Sequence, residues 1–221
     1  MHTASPSLSN ISRGGILLIL ALVMMATRIN HFGALADASW AVFFIAGFYL
    51  PAGSSATGRA SMRGSFNLRD SMLWAFLLLM ALAVLIDFCV VTSQGISFWS
   101  HYCVSPAYWF LVPSYAALWI GGSLLRNRYA GLHVRELGLL LVSAVVATSL
   151  CYLISNGSFY WISANVPVRS FAGWLENLGD WYAPYLRTTL MYVVIAAALH
   201  VATVLTARQL LKGAASNLAR L

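Results

Sequence analysis

Long apolar runs alternate with short polar stretches along the whole chain. A polar tail, residues 1–13, ends in Arg13. Six apolar runs follow, over residues 14–30, 39–52, 71–92, 106–125, 136–155 and 184–207. Each predicts a membrane-crossing helix. The second is short for a crossing of ~20 residues, so it stands steeply or begins earlier in its loop. The polar stretches are 31–38, 53–70, 93–105, 126–135, 156–183 and a basic tail, 208–221. The 156–183 stretch reads as the longest loop and is rich in aromatics. The predicted fold is an all-α integral membrane six-helix bundle, one domain over residues 1–221, resembling no soluble architecture.

Composition narrows the picture. Apolar residues make up 60% of the chain and charged residues 9%, against about 25% charged in a typical globular domain. Mean hydropathy is +0.77. The net charge of +7 does not form a nucleic-acid-binding surface, because the basic residues gather in short loops. Arg13, Arg59, Arg63, Arg69, Arg126, Arg128, Arg135, Arg208, Lys212 and Arg220 all fall on one side of a six-span chain. Basic loops stay cytoplasmic. Both termini are therefore expected on the cytoplasmic side. Loops 31–38, 93–105 and 156–183 then face outward. Ala34-Leu35-Ala36 looks loosely like a signal-peptide cleavage site. It lies far from the apolar core, and Arg28, Asn30 and His31 intervene, so the first run is read as retained.

The polar groups that this topology does not explain collect at the outer face. Arg28, Asn30, His31 and Asp37 lie around the first loop, and Asp87 lies in the outer half of span three. An ionisable group at membrane depth is costly and is usually paired or functional. The plain reading of Asp87 is an ion pair with Arg28, which is compatible with lining a cavity. Trp99, Tyr102, Tyr108, Trp109, Tyr160, Trp161, Trp174, Trp181, Tyr182 and Tyr185 share that level. They form an interfacial belt or the walls of a ligand site.

Residues 100–113, SHYCVSPAYWFLVP, carry the most chemistry. Ser105 is a good N-cap and Pro106 fits the first helical position. Cys103 thus sits in the turn before span four. A thiol there is a soft metal ligand, a nucleophile, or simply a small side chain. Cys89 and Cys151 lie inside apolar runs and read as buried core residues. Pro113 should kink span four and free a carbonyl near Trp109. His200 reads as an interhelical hydrogen-bonding group.

Several chemistries can be weighed. There is no GxxxxGK[ST], so energised transport would need a borrowed motor. A membrane thiol oxidoreductase wants paired outward cysteines, and only Cys103 faces outward. An intramembrane serine hydrolase would use Ser123 and His200. Its nucleophile and base must come within hydrogen-bond reach, yet Ser123 sits at the cytoplasmic end of span four. A non-catalytic assembly protein is a third reading. Ligand binding fits best, since a deprotonated thiol suits a transition metal.

His31-Phe32-Gly33 after span one, and Cys103 followed by Pro106-Ala107-Tyr108 before span four, resemble the BtuM family of bacterial cobalamin uptake proteins. That family is similar to the substrate-binding S components of ECF-type vitamin transporters. Asp87 matches it in placement. The resemblance implies cobalamin held in an outer cavity, with Cys103 as the cobalt ligand. His31, Asp87 and Tyr108 would line the site, together with an arginine, Arg169 or Arg187, of which Arg169 is preferred. Thiolate ligation would in turn ease removal of the upper cyanide of cyanocobalamin, with reduction of cobalt, so processing as well as binding is expected of Cys103. S components often carry an Ala-x-x-x-Ala patch in span one for docking the ECF motor. Here Ala21 and Ala26 are five apart, which points to solitary operation. The 53–70 loop reads as an anchor near anionic lipid.

Overall fold

The computed structural model describes residues 10–29, 36–50, 68–101 and 104–218, with side chains over slightly shorter limits. The described residues form six α-helices: α1 (Asn10–Arg28), α2 (Ser39–Tyr49), α3 (Leu68–Ser93), α4 (Leu111–Arg128), α5 (Val134–Ile162) and α6 (Phe171–Leu218). Two short 3-10 turns, Phe98–Ser100 and Pro106–Phe110, lie between α3 and α4. Among the described residues, four stretches are long and apolar enough to cross a bilayer: Met72–Ser93, Pro106–Arg128, Val134–Ile162 and Phe171–Ala214. The architecture is an all-helical membrane bundle. Helix is the expected answer to these apolar runs, since it pairs the backbone within one segment.

The centre of the bundle is its shortest helix. With 11 residues, α2 rises only about 16 Å, roughly half a hydrocarbon core. It is apolar all round, and seven of its residues are buried, Phe43 and Phe44 among them. It packs against each of the other five helices and chiefly against α4, which in turn packs on α5. A helix wrapped in this way need not span the lipid to be stable. Its shortness is the physical reason that the second apolar run looked incomplete.

Close approach of α4 depends on two adjacent glycines. A Cβ on Gly122 would collide with the Phe44 carbonyl, and one on Gly47 with the Trp119 carbonyl. Gly121 faces the other way, toward Ala147 of α5. Small residues let helix backbones approach where lipid offers no hydrophobic driving force. Hydroxyls tie the same seam. Ser123 Oγ donates to the Gly47 and Trp119 carbonyls at 3.0 and 2.9 Å, and Ser143 Oγ to the Gly121 carbonyl at 2.9 Å.

Three expectations from the sequence need correction. The stretch 156–183 is mostly helix, because α5 runs on to Ile162 and α6 begins at Phe171. Asn156 Nδ2 donates to Asn177 Oδ1 at 2.6 Å, and Tyr152 Oη donates to the Leu178 carbonyl at 3.0 Å. These bonds zip the two helices together near their connection, and α6 continues through Pro184. Cys151 is buried as expected, but Cys89 is exposed on α3. Pro113 occupies the first turn of α4, where a proline is tolerated because that N–H lacks an intrahelical partner. The Trp109 carbonyl is not left free, since it accepts from Leu111 N. The Ser105 cap is observed: its Oγ accepts from Ala107 N at 3.3 Å, with Pro106 opening the turn.

Candidate functional site

One end of the bundle gathers a buried polar cluster on Arg28, the last residue of α1. Arg28 is 7% exposed. Its Nε and Nη2 donate to Asp87 Oδ1 and Oδ2, each at 2.7 Å, in a bidentate fork. Its Nη1 donates to Asp37 Oδ2 at 3.0 Å, Ser39 Oγ at 3.0 Å and Tyr115 Oη at 3.3 Å. Planar, two-toothed pairing of this kind is the strong form of a charge-assisted contact.

Each partner is positioned by its helix. Asp37 precedes α2, and its Oδ1 accepts from Ser39 N and Ser39 Oγ at 2.9 and 2.6 Å. That places a carboxylate at a helix N-terminus, where the helix dipole favours negative charge. Thr27 Oγ1 accepts from Ala38 N at 3.1 Å and stitches α1 to the same turn. Asp87 comes from the last two turns of α3. Tyr108 lies on the 3-10 turn before α4 and donates from Oη to Asp87 Oδ2 at 2.7 Å. Tyr115, two turns further along, is buried and stacks on Phe43 with ring centroids 4.4 Å apart.

The cluster holds two carboxylates, Asp37 and Asp87, against one guanidinium. Among the described residues, Asp87 Oδ2 has two donors and Oδ1 has one. A carboxylate oxygen takes two donors, so Oδ1 keeps room for one more. Chemically, the end is an acceptor-rich patch with exposed Trp99 and Trp109 beside it, at 78% and 74% exposure.

Of the residues singled out from sequence, the structure pairs Asp87 with Arg28 and sets Tyr108 on Asp87. His31, Cys103 and Tyr102 lie outside the described residues. Arg169 lies between α5 and α6 and donates from Nη2 to the Ser163 carbonyl at 2.7 Å. Arg187 sits on the exposed face of α6 rather than in a loop. Among the described residues, no hydrogen bond or ion pair joins either arginine to Asp87 or Tyr108. Among the described residues, too, no group of three His, Cys, Asp or Glu side chains is placed to hold a metal ion.

The cluster also contains two members that residue-by-residue reading missed, Ser39 and Tyr115. The signals existed. Ser39 follows Asp37 by two, the spacing of a local Asx turn. Tyr115 follows Tyr108 by seven, two helical turns along one face.

Ser123 and His200 are not joined by a hydrogen bond. Ser123 is held by backbone carbonyls, and both ring nitrogens of His200 are taken. Nδ1 meets Tyr49 Oη at 2.7 Å, and Nε2 meets Tyr129 Oη at 2.9 Å. His200 thus makes the interhelical bonds expected of it. No protein-family model and no curated protein sequence matches this chain.

Proposed function

We propose that the chain is a six-span cobalamin-binding protein of a bacterial inner membrane, with both termini cytoplasmic. In this reading its ligand site opens to the periplasm at the Arg28 end, and Cys103 ligates cobalt. The observation that carries the reading is the hydrogen bond from Tyr108 to Asp87, itself paired with Arg28. Both residues belong to the resemblance to the BtuM family, and they come from different helices, 21 positions apart in the chain. Residues 104–110, which lead directly out of Cys103, belong to the same end of the bundle.

The donor set suits the ligand. Asp87 Oδ1 has acceptor capacity left for an amide N–H, and the corrin ring of cobalamin is fringed with amides. Exposed Trp99 and Trp109 offer flat apolar surface for the ring itself. His31 and an arginine, Arg169 or Arg187, complete the set that the resemblance implies.

A thiolate on the lower face of cobalt pushes electron density toward the metal and weakens the bond to an upper cyanide. Cyanide then departs with its bonding pair as Co(III) takes one electron. A low-molecular-weight thiol supplies that electron, two thiols giving one disulfide per two cobalts reduced. The spacing of Ala21 and Ala26 favours operation without an ECF motor.

The test is a titration of purified protein with cyanocobalamin, followed by visible absorbance. The reading expects a shifted cobalamin spectrum on binding, and no shift with Cys103→Ser. Binding with the same spectrum in both proteins would rule out cobalt–sulfur ligation.

A further inference from the structure

The end of the bundle opposite Arg28 holds a cavity of about 320 Å³ between α2, α5 and α6, at the lower end of the size range of small-molecule sites. Its walls include Phe48 of α2, Leu137 and Leu140 of α5, and Val193 and Ala197 of α6. The polar side chains of the lining turn on one another. His200 bridges the Tyr49 and Tyr129 hydroxyls, which uses both ring nitrogens. Glu136 also lines the cavity, but its Oε2 is buried away from the open space. The surface left to an occupant is therefore hydrocarbon. Val134 and Leu137 line the cavity and are also exposed, so it opens on the flank of α5.

The mouth is cationic. Arg126, in the last turn of α4, sets its guanidinium carbon 5.4 Å from the centroid of the Phe48 ring, within the range of cation–π attraction. Phe48 is a wall residue, so that charge is held at the cavity. Arg208 reaches the same place from α6. Burial holds the Tyr129 hydroxyl above its ordinary range, while Arg126 and then Arg208 pull it down, and Glu136 acts least. Both guanidiniums thus lie within electrostatic reach of a hydroxyl that lines the cavity. Both arginines are exposed, and among the described residues no ion pair takes either. Each stands near the end of a stretch long enough to cross a bilayer, Pro106–Arg128 or Phe171–Ala214, which is the level of the headgroups.

The geometry points to a bound anionic phospholipid, with Arg126 and Arg208 on its phosphate and one acyl chain in the cavity beside Ala197. The two features select this occupant together. Hydrocarbon walls take an alkyl chain, and a guanidinium fork matches phosphate oxygens. Basic pockets between membrane helices bind anionic headgroups in this way. A zwitterionic lipid would bring its own cation against the two arginines. The site is independent of the cobalamin reading, since it shares no residue with the Arg28 end.

The test uses the delipidated full chain in detergent micelles, with bound lipid counted by native mass spectrometry. Dioleoyl phosphatidylglycerol and dioleoyl phosphatidylcholine share their acyl chains and differ in net charge. The native protein should bind the first roughly thirtyfold more tightly, the scale of two cations near an anionic surface. The double variant Arg126→Gln, Arg208→Gln should lose that preference. Arg128→Gln with Arg135→Gln removes the same charge from the same end and should keep it. Ala197→Phe, which fills the cavity from α6, should weaken both lipids. Equal affinities in the native protein would overturn the inference, as would equal loss of preference in the two double variants, which marks a diffuse basic surface. Glycerol 3-phosphate binding as tightly as phosphatidylglycerol would also overturn it, by making the chain irrelevant. The exposed arginine variants and the native comparison decide the matter even if Ala197→Phe does not fold.

Discussion

At one end of α2, Arg28 faces Asp37, Asp87, Ser39 and Tyr115, and Asp87 is further held by Tyr108. About 16 Å along the same helix, Glu136 lines a cavity and carries a buried oxygen with no hydrogen-bond partner among the described residues. Both ends bury ionisable groups among apolar helices. The first spends its charges on its own structure, joining α1, α2, α3 and α4. The second leaves one acceptor open. Removing charge should therefore have opposite consequences at the two ends, and that asymmetry can be attacked directly.

The largest effect should come from Arg28→Ala. It leaves Asp37 and Asp87 without their common cation, and breaking a buried pair in this way costs about 3–5 kcal/mol. Denaturant unfolding in mixed micelles measures it, and a loss under 1 kcal/mol would show that the cluster is not structural. Next is Gly122→Val. Its new side chain meets the Phe44 carbonyl rather than a movable group, for an overpacking cost of about 1–3 kcal/mol. The same unfolding curve reads it, and a neutral result would mean that α2 and α4 are further apart than described. Tyr108→Phe deletes one donor to Asp87 while keeping the ring, so about 1 kcal/mol of stability should go. Because Asp87 keeps Arg28, a loss equal to that of Arg28→Ala would remove Arg28 as the centre of the cluster. Smallest is Glu136→Met, which removes an unsatisfied oxygen and loses no bond to it. Stability should be unchanged or slightly higher, because replacing buried charge by apolar volume is often neutral or favourable. A loss of several kcal/mol would reveal a partner for Glu136 and dissolve the contrast between the two ends.

Much of this organisation was legible in the chain before its structure. The apolar runs marked the helices, and Asp87 inside one of them called for a partner, for which Arg28 was the plain candidate. Other parts were not legible for physical reasons. Asn156, Gly157, Gly179 and Pro184 individually disfavour helix, so 156–183 read as loop. What overrides them is non-local: Tyr152 and Asn156 bind the opposing helix, and Trp40 of α2 stacks on Tyr185 at 4.7 Å. Gly121-Gly122-Ser123 stood in the sequence only as the setting of a candidate hydrolase nucleophile, Ser123. Its meaning is steric and appears only when α2 and α5 lie against it. Glu136 drew no notice, since an acidic residue opening a helix is ordinary. Only its burial beside a cavity makes it unusual. On the functional side, Asp87 and Tyr108 meet in one hydrogen bond, while Cys103 and His31 lie outside the described residues.

The central functional claim is therefore the bond from Cys103 to cobalt. Cobalt K-edge X-ray absorption on the purified protein–cobalamin complex addresses it without reference to any other residue. The account predicts one sulfur scatterer in the first shell of cobalt in the native complex, replaced by a light atom in Cys103→Ser. A native complex that holds cobalamin with only nitrogen, carbon and oxygen around the cobalt would contradict it.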